Sequence, residues 1–271
     1  MPEGHILHRL AAELNRSFAG GLVRSTSPQG RFAASAARLD GATLTGAEAF
    51  GKHLFIGFDH TAETVHIHLG LYGGLTITDD RALPVKGAVR WRLANDATTA
   101  DLRGPTFCEL LDEPAVAAIF RRLGPDPIRA DADSERAWQR ISRSRSPIAT
   151  LLMDQRVLAG VGNVYRAEVL FRQGIDPFLP GSALSRAEWD DIWADLVKLM
   201  RAGVVAGRID TVRAEHDPET MGRPPRQDAH GGEVYVYRRA DMECLICGTP
   251  VRTQKIANRN LFWCPQCQPR R

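Results

Sequence analysis

The sequence predicts an α+β protein in three parts: an N-terminal β-sandwich, a helical domain and a C-terminal four-cysteine β-hairpin. Three observations predict it. Between residues 22 and 112, short alternating or β-branched stretches (53–59, 64–71, 75–78 and 88–93) are punctuated by Gly, Asp and Pro, as in a sandwich or barrel of short antiparallel strands. From residue 135 the apolar spacing becomes helical. Four of the five cysteines fall in the last 28 residues, as Cys244-x-x-Cys247 and Cys264-x-x-Cys267.

Taken in order, residues 3–16 fit an amphipathic helix carrying Ile6, Leu7, Leu10 and Leu14 on one side. After the strands, 114–123 reads as a short helix ending at Gly124, and the acidic, Pro-rich stretch 124–134 as an interdomain linker. The expected domains are therefore 1–123, 135–240 and 241–271. Ser146 with Pro147 predicts an N-cap and first helical position for a helix through 155. A second helix covers 164–172 and stops at Gly174. Ser185-x-x-Glu188 is a capping box that opens a longer helix to about Arg201. Residues 210–232, polar and rich in Pro and Gly, read as a long mobile loop.

A chain of 271 residues can bury a sizeable core. No leader pattern and no apolar run of about 18 residues is present, so the expected location is the cytoplasm, with the nucleoid. The net charge of +3 is unevenly spread: residues 1–137 sum to −2 and 138–271 to +5. A local basic end suits a polyanion partner held by a few contacts.

The odd cysteine count argues against a disulfide framework, and Cys108 stands alone as a small core residue. The two Cys-x-x-Cys pairs lie 16 residues apart, and four thiolates suit one tetrahedral Zn²⁺. Redox-active pairs are the alternative. Strands at 250–255 and 260–263, joined at Ala257-Asn258, would make a metal-stapled hairpin with Arg259 near its tip. Four thiolates leave no open coordination position, so such a zinc is structural. Catalysis must then come from elsewhere. If Met1 is removed, Pro2 becomes a secondary α-amine with a pKa of roughly 8, an amine able to add to an aldehyde-like carbon. Glu3, next to it, could supply the acid.

Met1-Pro2-Glu3-Gly4, Gly160-Val161-Gly162-Asn163-Val164-Tyr165 and the cysteine ribbon together resemble the formamidopyrimidine-DNA glycosylase/endonuclease VIII family of base-excision repair enzymes. The resemblance covers essentially the whole chain. It implies a helix–two-turn–helix domain between sandwich and zinc finger, with double-stranded damaged DNA gripped between the domains of a monomer. It further implies Pro2 as Schiff-base nucleophile, Glu3 as assisting acid and Lys52 as the sandwich lysine that serves the elimination steps. Asn163 and Arg259 would hold backbone phosphates. Leu71 and Tyr72 would fill the gap left by a flipped nucleotide.

The chain also departs from the family pattern. Gly70 stands where the endonuclease VIII branch has glutamine, and Ile6 where the family has a second N-terminal glutamate; His5 is a candidate substitute. Asp101-Leu102-Arg103-Gly104-Pro105 replaces the Arg-Arg-Phe-Gly segment of the formamidopyrimidine branch. The expectation is a bifunctional glycosylase/lyase for oxidised pyrimidines. Its alternatives are a purine-directed enzyme or a non-catalytic damage binder of the same fold.

Overall fold

The computed structural model describes residues 2–80, 84–227 and 232–271. The chain divides into two compact units, Met1–Arg122 and Leu123–Arg271.

The first unit begins with α1 (Gly4–Phe18), which buries Leu7, Leu10, Leu14 and Phe18 at helical spacing. The strands follow as β1 (Arg24–Thr26), β2 (Leu44–Phe50), β3 (His53–Phe58), β4 (Thr64–His68), β5 (Gly74–Thr78), β6 (Val89–Ala94), β7 (Thr99–Arg103) and β8 (Phe107–Leu111). A short helix, α2 (Ala33–Leu39), links β1 to β2, and α3 (Glu113–Arg122) closes the unit. Two four-stranded antiparallel sheets, β1-β6-β7-β5 and β2-β3-β4-β8, make the sandwich. Leu54, Ile56, Val65 and Ile67 of one sheet meet Trp91, Leu93, Ala100 and Leu102 of the other in one core with α1 and α2. Cys108 packs partly buried against that core, and burial pushes its thiol up to about 12, out of reach of thiolate chemistry at neutral pH.

The second unit contains α4 (Ser134–Ile141), α5 (Ile148–Leu151), α6 (Asn163–Arg172), α7 (Arg186–Ala206), α8 (Pro218–Met221) and the hairpin β9 (Arg252–Ile256) and β10 (Arg259–Trp263). The Ser185–Glu188 capping box is present, and α7 continues to a left-handed Gly207, past the expected end near residue 201. Three expectations are corrected. The stretch expected as a linker is buried over its first residues: the Gly124 amide donates to the Gln155 carbonyl, and Pro125 accepts from the Ala159 amide. A Cβ on Gly124 would lie 2.3 Å from the Val157 carbonyl oxygen, so only glycine allows that approach. Second, Pro147 rather than Ser146 is the N-cap of α5, which has only four residues. Its first amides, Ile148 and Ala149, donate to Leu179 and Pro177 carbonyls, leaving no role for a serine cap. Third, the expected loop 210–232 contains a 3₁₀ turn, Ala214–His216, and α8; residues 228–231 lie outside the described residues.

Helix α6 sits in the middle of the second unit, buried almost all round. Its Glu168 carboxylate, fully buried, accepts from the Tyr235, Val236 and Tyr237 amides at 2.7–2.9 Å and from the Thr211 hydroxyl at 2.6 Å. One side chain thus satisfies three consecutive backbone donors that no strand or helix provides for. Glu168→Ala should orphan these donors and destabilise the unit by at least about 3 kcal/mol, lowering Tm in calorimetry by roughly 10 °C. Glu168→Gln, which keeps an acceptor, should lose less.

Candidate active site and metal centre

The β2–β3 turn is the two residues Gly51 and Lys52, with Gly51 at φ 60°. His53 pairs across the sheet with His68, so this turn lies at the same sheet end as the β4–β5 turn, 69–73. Helix α1 is directed there too. Its end is bonded to the start of β2, the Gly20 amide donating to the Leu44 carbonyl, while Asn15 grips both backbone groups of Ala47 at 2.7 and 2.8 Å. The helix therefore runs antiparallel to β2, and its first residues head toward the Gly51–Lys52 turn.

Glu3 is the N-cap residue of α1 and is completely buried; Pro2 and Lys52 are half-buried. His5 is buried, and burial, with His8 nearby, lowers its pKa to about 4, so its ring is neutral. Leu71 is 44% exposed and Tyr72 89%, an apolar pair projecting at the turn. Gly70 has φ 69°, and a Cβ there would fall 2.0 Å from the Thr106 hydroxyl, which accounts for the absence of a longer residue. Asp101 is a structural residue: burial pushes its carboxyl up, yet paired Arg92 and Arg103, at 2.6–2.8 Å, bring it below its usual value.

Sequence reasoning missed a row of histidines on the outer face of this sheet. His53, Phe55, His66, His68, Phe107 and Glu109 are cross-strand neighbours on that face. The spacing His53-x-Phe55 and His66-x-His68 was a signal that these residues share one side of their strands. Burial lowers the pKa of His53 to about 3, helped by His68, His66, Arg122 and Lys52; His66 and His68 are also lowered, chiefly by burial.

In the second unit, Asn163 opens α6 and is 7% exposed. Its amide donates to the Asn260 carbonyl at 2.9 Å, and its oxygen accepts from buried Arg166. Asn163 thereby fixes the hairpin beside Arg259, which is exposed. Ala257 and Asn258 both have positive φ, 47° and 60°, so a tight two-residue turn puts Arg259 at the tip, as the sequence implies.

The Sγ atoms of Cys244, Cys247, Cys264 and Cys267 all lie within 4.8 Å of one another. Cys244 and Cys267 are 3.8 Å apart, and Cys247 and Cys264 3.5 Å. A tetrahedron with Zn–S bonds of about 2.3 Å has edges near 3.8 Å, so the four thiols fit one zinc ion closed to substrate.

Three family models match: the formamidopyrimidine-DNA glycosylase N-terminal domain over residues 1–108, its H2TH domain over 123–214, and the zinc finger found in FPG and IleRS over 243–270. The chain is 50% identical over 275 residues to Endonuclease 8 1 of Mycobacterium tuberculosis, covering 99% of this chain and 100% of that protein. It is 33% identical over 239 residues to a formamidopyrimidine-DNA glycosylase of Thiobacillus denitrificans, covering 85% and 84%. In fold it is similar to Lactococcus lactis Fpg in complex with abasic-site DNA, with TM-score 0.77, 19% identity and coverage of 99% and 100%.

Two outcomes follow from these geometries. Stripping the metal with a chelator should release one Zn²⁺ per chain by mass spectrometry and destabilise the second unit, because Cys244, Leu261, Phe262 and Cys264 belong to its core. A chelated protein with an unchanged melting profile would contradict this. His5 and His53 are neutral when folded but protonate near 6.5 when unfolded, so the stability they contribute is complete above pH 6.5 and drains away toward pH 4 and 3. Between pH 6.5 and 5, Tm should fall less steeply in His53→Phe than in the wild type.

Proposed function

The chain belongs to the formamidopyrimidine-DNA glycosylase/endonuclease 8 family, DNA glycosylases with abasic-site lyase activity in base-excision repair, and we propose that it acts on oxidised pyrimidines in double-stranded DNA through the amine of Pro2. The observation that carries this is the course of α1 along β2, which directs Pro2 and Glu3 toward the turn holding Lys52.

With Met1 removed, the Pro2 nitrogen has a lone pair and attacks C1′ of the flipped nucleotide. Glu3 supplies the proton that opens the sugar, and the base departs. The resulting iminium acidifies C2′; loss of that proton expels the 3′-phosphate by β-elimination, and a second elimination expels the 5′-phosphate. Lys52 serves these proton transfers and contacts phosphate. Leu71 and Tyr72, which a folded protein in water leaves exposed, fill the emptied stack. Arg259 and the N-terminal end of α6 at Asn163 hold phosphates.

The preference for pyrimidines draws support from the 50% identity to Endonuclease 8 1, against 33% to a formamidopyrimidine-DNA glycosylase. The working form is a monomer with one zinc ion, acting in the cytoplasm on the nucleoid. Borohydride should trap a covalent adduct with abasic-site DNA, and Pro2→Gly should lose much of it. In a duplex panel, thymine glycol and dihydrouracil should be excised faster than 8-oxoguanine. The reverse order would transfer the enzyme to the purine branch, and an uncut abasic strand would mark a non-catalytic binder.

A further inference from the structure

The outer face of the β2-β3-β4-β8 sheet carries a continuous line of hydrogen bonds. His53 Nδ1 lies 2.8 Å from His66 Nε2, and His66 Nδ1 lies 3.0 Å from Glu109 Oε1. His53 and His66 are 9% and 3% exposed, whereas the Glu109 side chain is 45% exposed. The line therefore starts beside Lys52 and ends in solvent on β8.

We propose that His53, His66 and Glu109 form a proton relay between the Lys52 end of the sheet and bulk water. The proposal rests on the reading of that end as the reaction site. The bond pattern fixes the direction of each link. A carboxylate only accepts, so neutral His66 carries its proton on Nδ1, and its Nε2 accepts from His53 Nδ1. Neutral His53 then has its lone pair on Nε2. A proton arriving there drives the Nδ1 proton onto His66 Nε2, and the His66 Nδ1 proton onto Glu109, which releases it to water. Every N–H bond broken is matched by one formed. The rings are left in the opposite tautomer, so the next proton travels inward along the same bonds. Elimination needs a proton removed at C2′, which the resting line carries out to water, and a later inward transfer resets both rings for the next turnover.

The surroundings suit a relay better than a simple packing role. Only neutral imidazole both donates and accepts, and burial keeps these rings neutral at working pH. The charged and titratable groups facing them are Lys52, His68 on β4, Glu109 on β8 and Arg122 on α3, with Glu48 of β2 opposite Phe55. The His68 ring lies 4.9 Å from that of His53, and its Nδ1 is buried with no hydrogen-bond partner among the described residues. DNA seated at that end displaces bulk water, and Glu109 on the edge strand keeps a route to it.

The test compares wild type, His66→Phe and Glu109→Gln on abasic-site duplex under single-turnover conditions. Phenylalanine at 66 fits between Phe55 and Phe107, which already stack on the His66 ring. Both variants should trap with borohydride at the wild-type rate yet cut the strand about tenfold more slowly. Their cutting, unlike that of the wild type, should accelerate with imidazole buffer concentration, because a diffusing acid–base pair replaces the broken line. Variants that cut at the wild-type rate overturn the relay. So do variants in which trapping and cutting fall together, or in which buffer has no effect. A wild-type protein that neither traps nor cuts overturns the Pro2 assignment first, and the relay with it.

Discussion

The Glu168 carboxylate and its three backbone amides hold together parts of the second unit that are far apart in sequence. Residues 211 and 235–237 are drawn onto α6 by a single buried side chain. Two further residues of the same helix extend the effect. Arg166, fully buried, donates to the Ala149 carbonyl at 3.2 Å and to Asn163, which in turn binds Asn260. One ten-residue helix therefore ties α5, residues 211 and 235–237, and the zinc hairpin by charge-assisted or buried hydrogen bonds, each costly to break. The orientation of Arg259 is a consequence of that helix as much as of the metal.

The first unit uses a different constraint, the two-residue alternation of strands. On β3 and β4, Leu54, Ile56, Val65 and Ile67 enter the sandwich core, while His53, Phe55, His66 and His68 face outward. Helix α3 covers part of the outer face, Phe120 meeting Phe50 and Phe55 edge-on at 5.0 Å. Such coverage makes an outward face dry enough to keep imidazoles uncharged. The same sheet therefore supports a hydrophobic core on one side and buried polar chemistry on the other.

Much of this was legible in the sequence where a local pattern has one physical meaning. The Ser185–Glu188 box, the Ala257-Asn258 turn and the cysteine spacing each specify their structure within a few residues. Pro2 and Glu3 carry no such local signal and gain meaning only with the ribbon and the Gly-Val-Gly-Asn turn. Features that depend on distant partners were not legible. Glu168 looks like an ordinary helical glutamate until 235–237 is folded against it. Ser146-Pro147 reads as a helix start, but carbonyls some 30 residues away satisfy the donors. The 124–134 stretch has a linker's composition, yet the glycine that suggests a linker is what allows its first residues to lie against 155–159.

The hairpin's share in the helical core also bears on how the protein is made. Gln268 donates to the Ile175 carbonyl, and Leu261, Phe262 and Cys264 pack in one cluster with residues from α4 to α7. A ribosome releases the residues of the first unit early, and they can fold while synthesis continues. The helices that follow stay without their final apolar partners until the last cysteines emerge, on the order of ten seconds later at ordinary elongation rates. During that interval the nascent chain exposes the apolar surface that Leu261, Phe262 and Cys264 later cover. Binding of the metal by these cysteines is therefore coupled to the burial of the helical core itself.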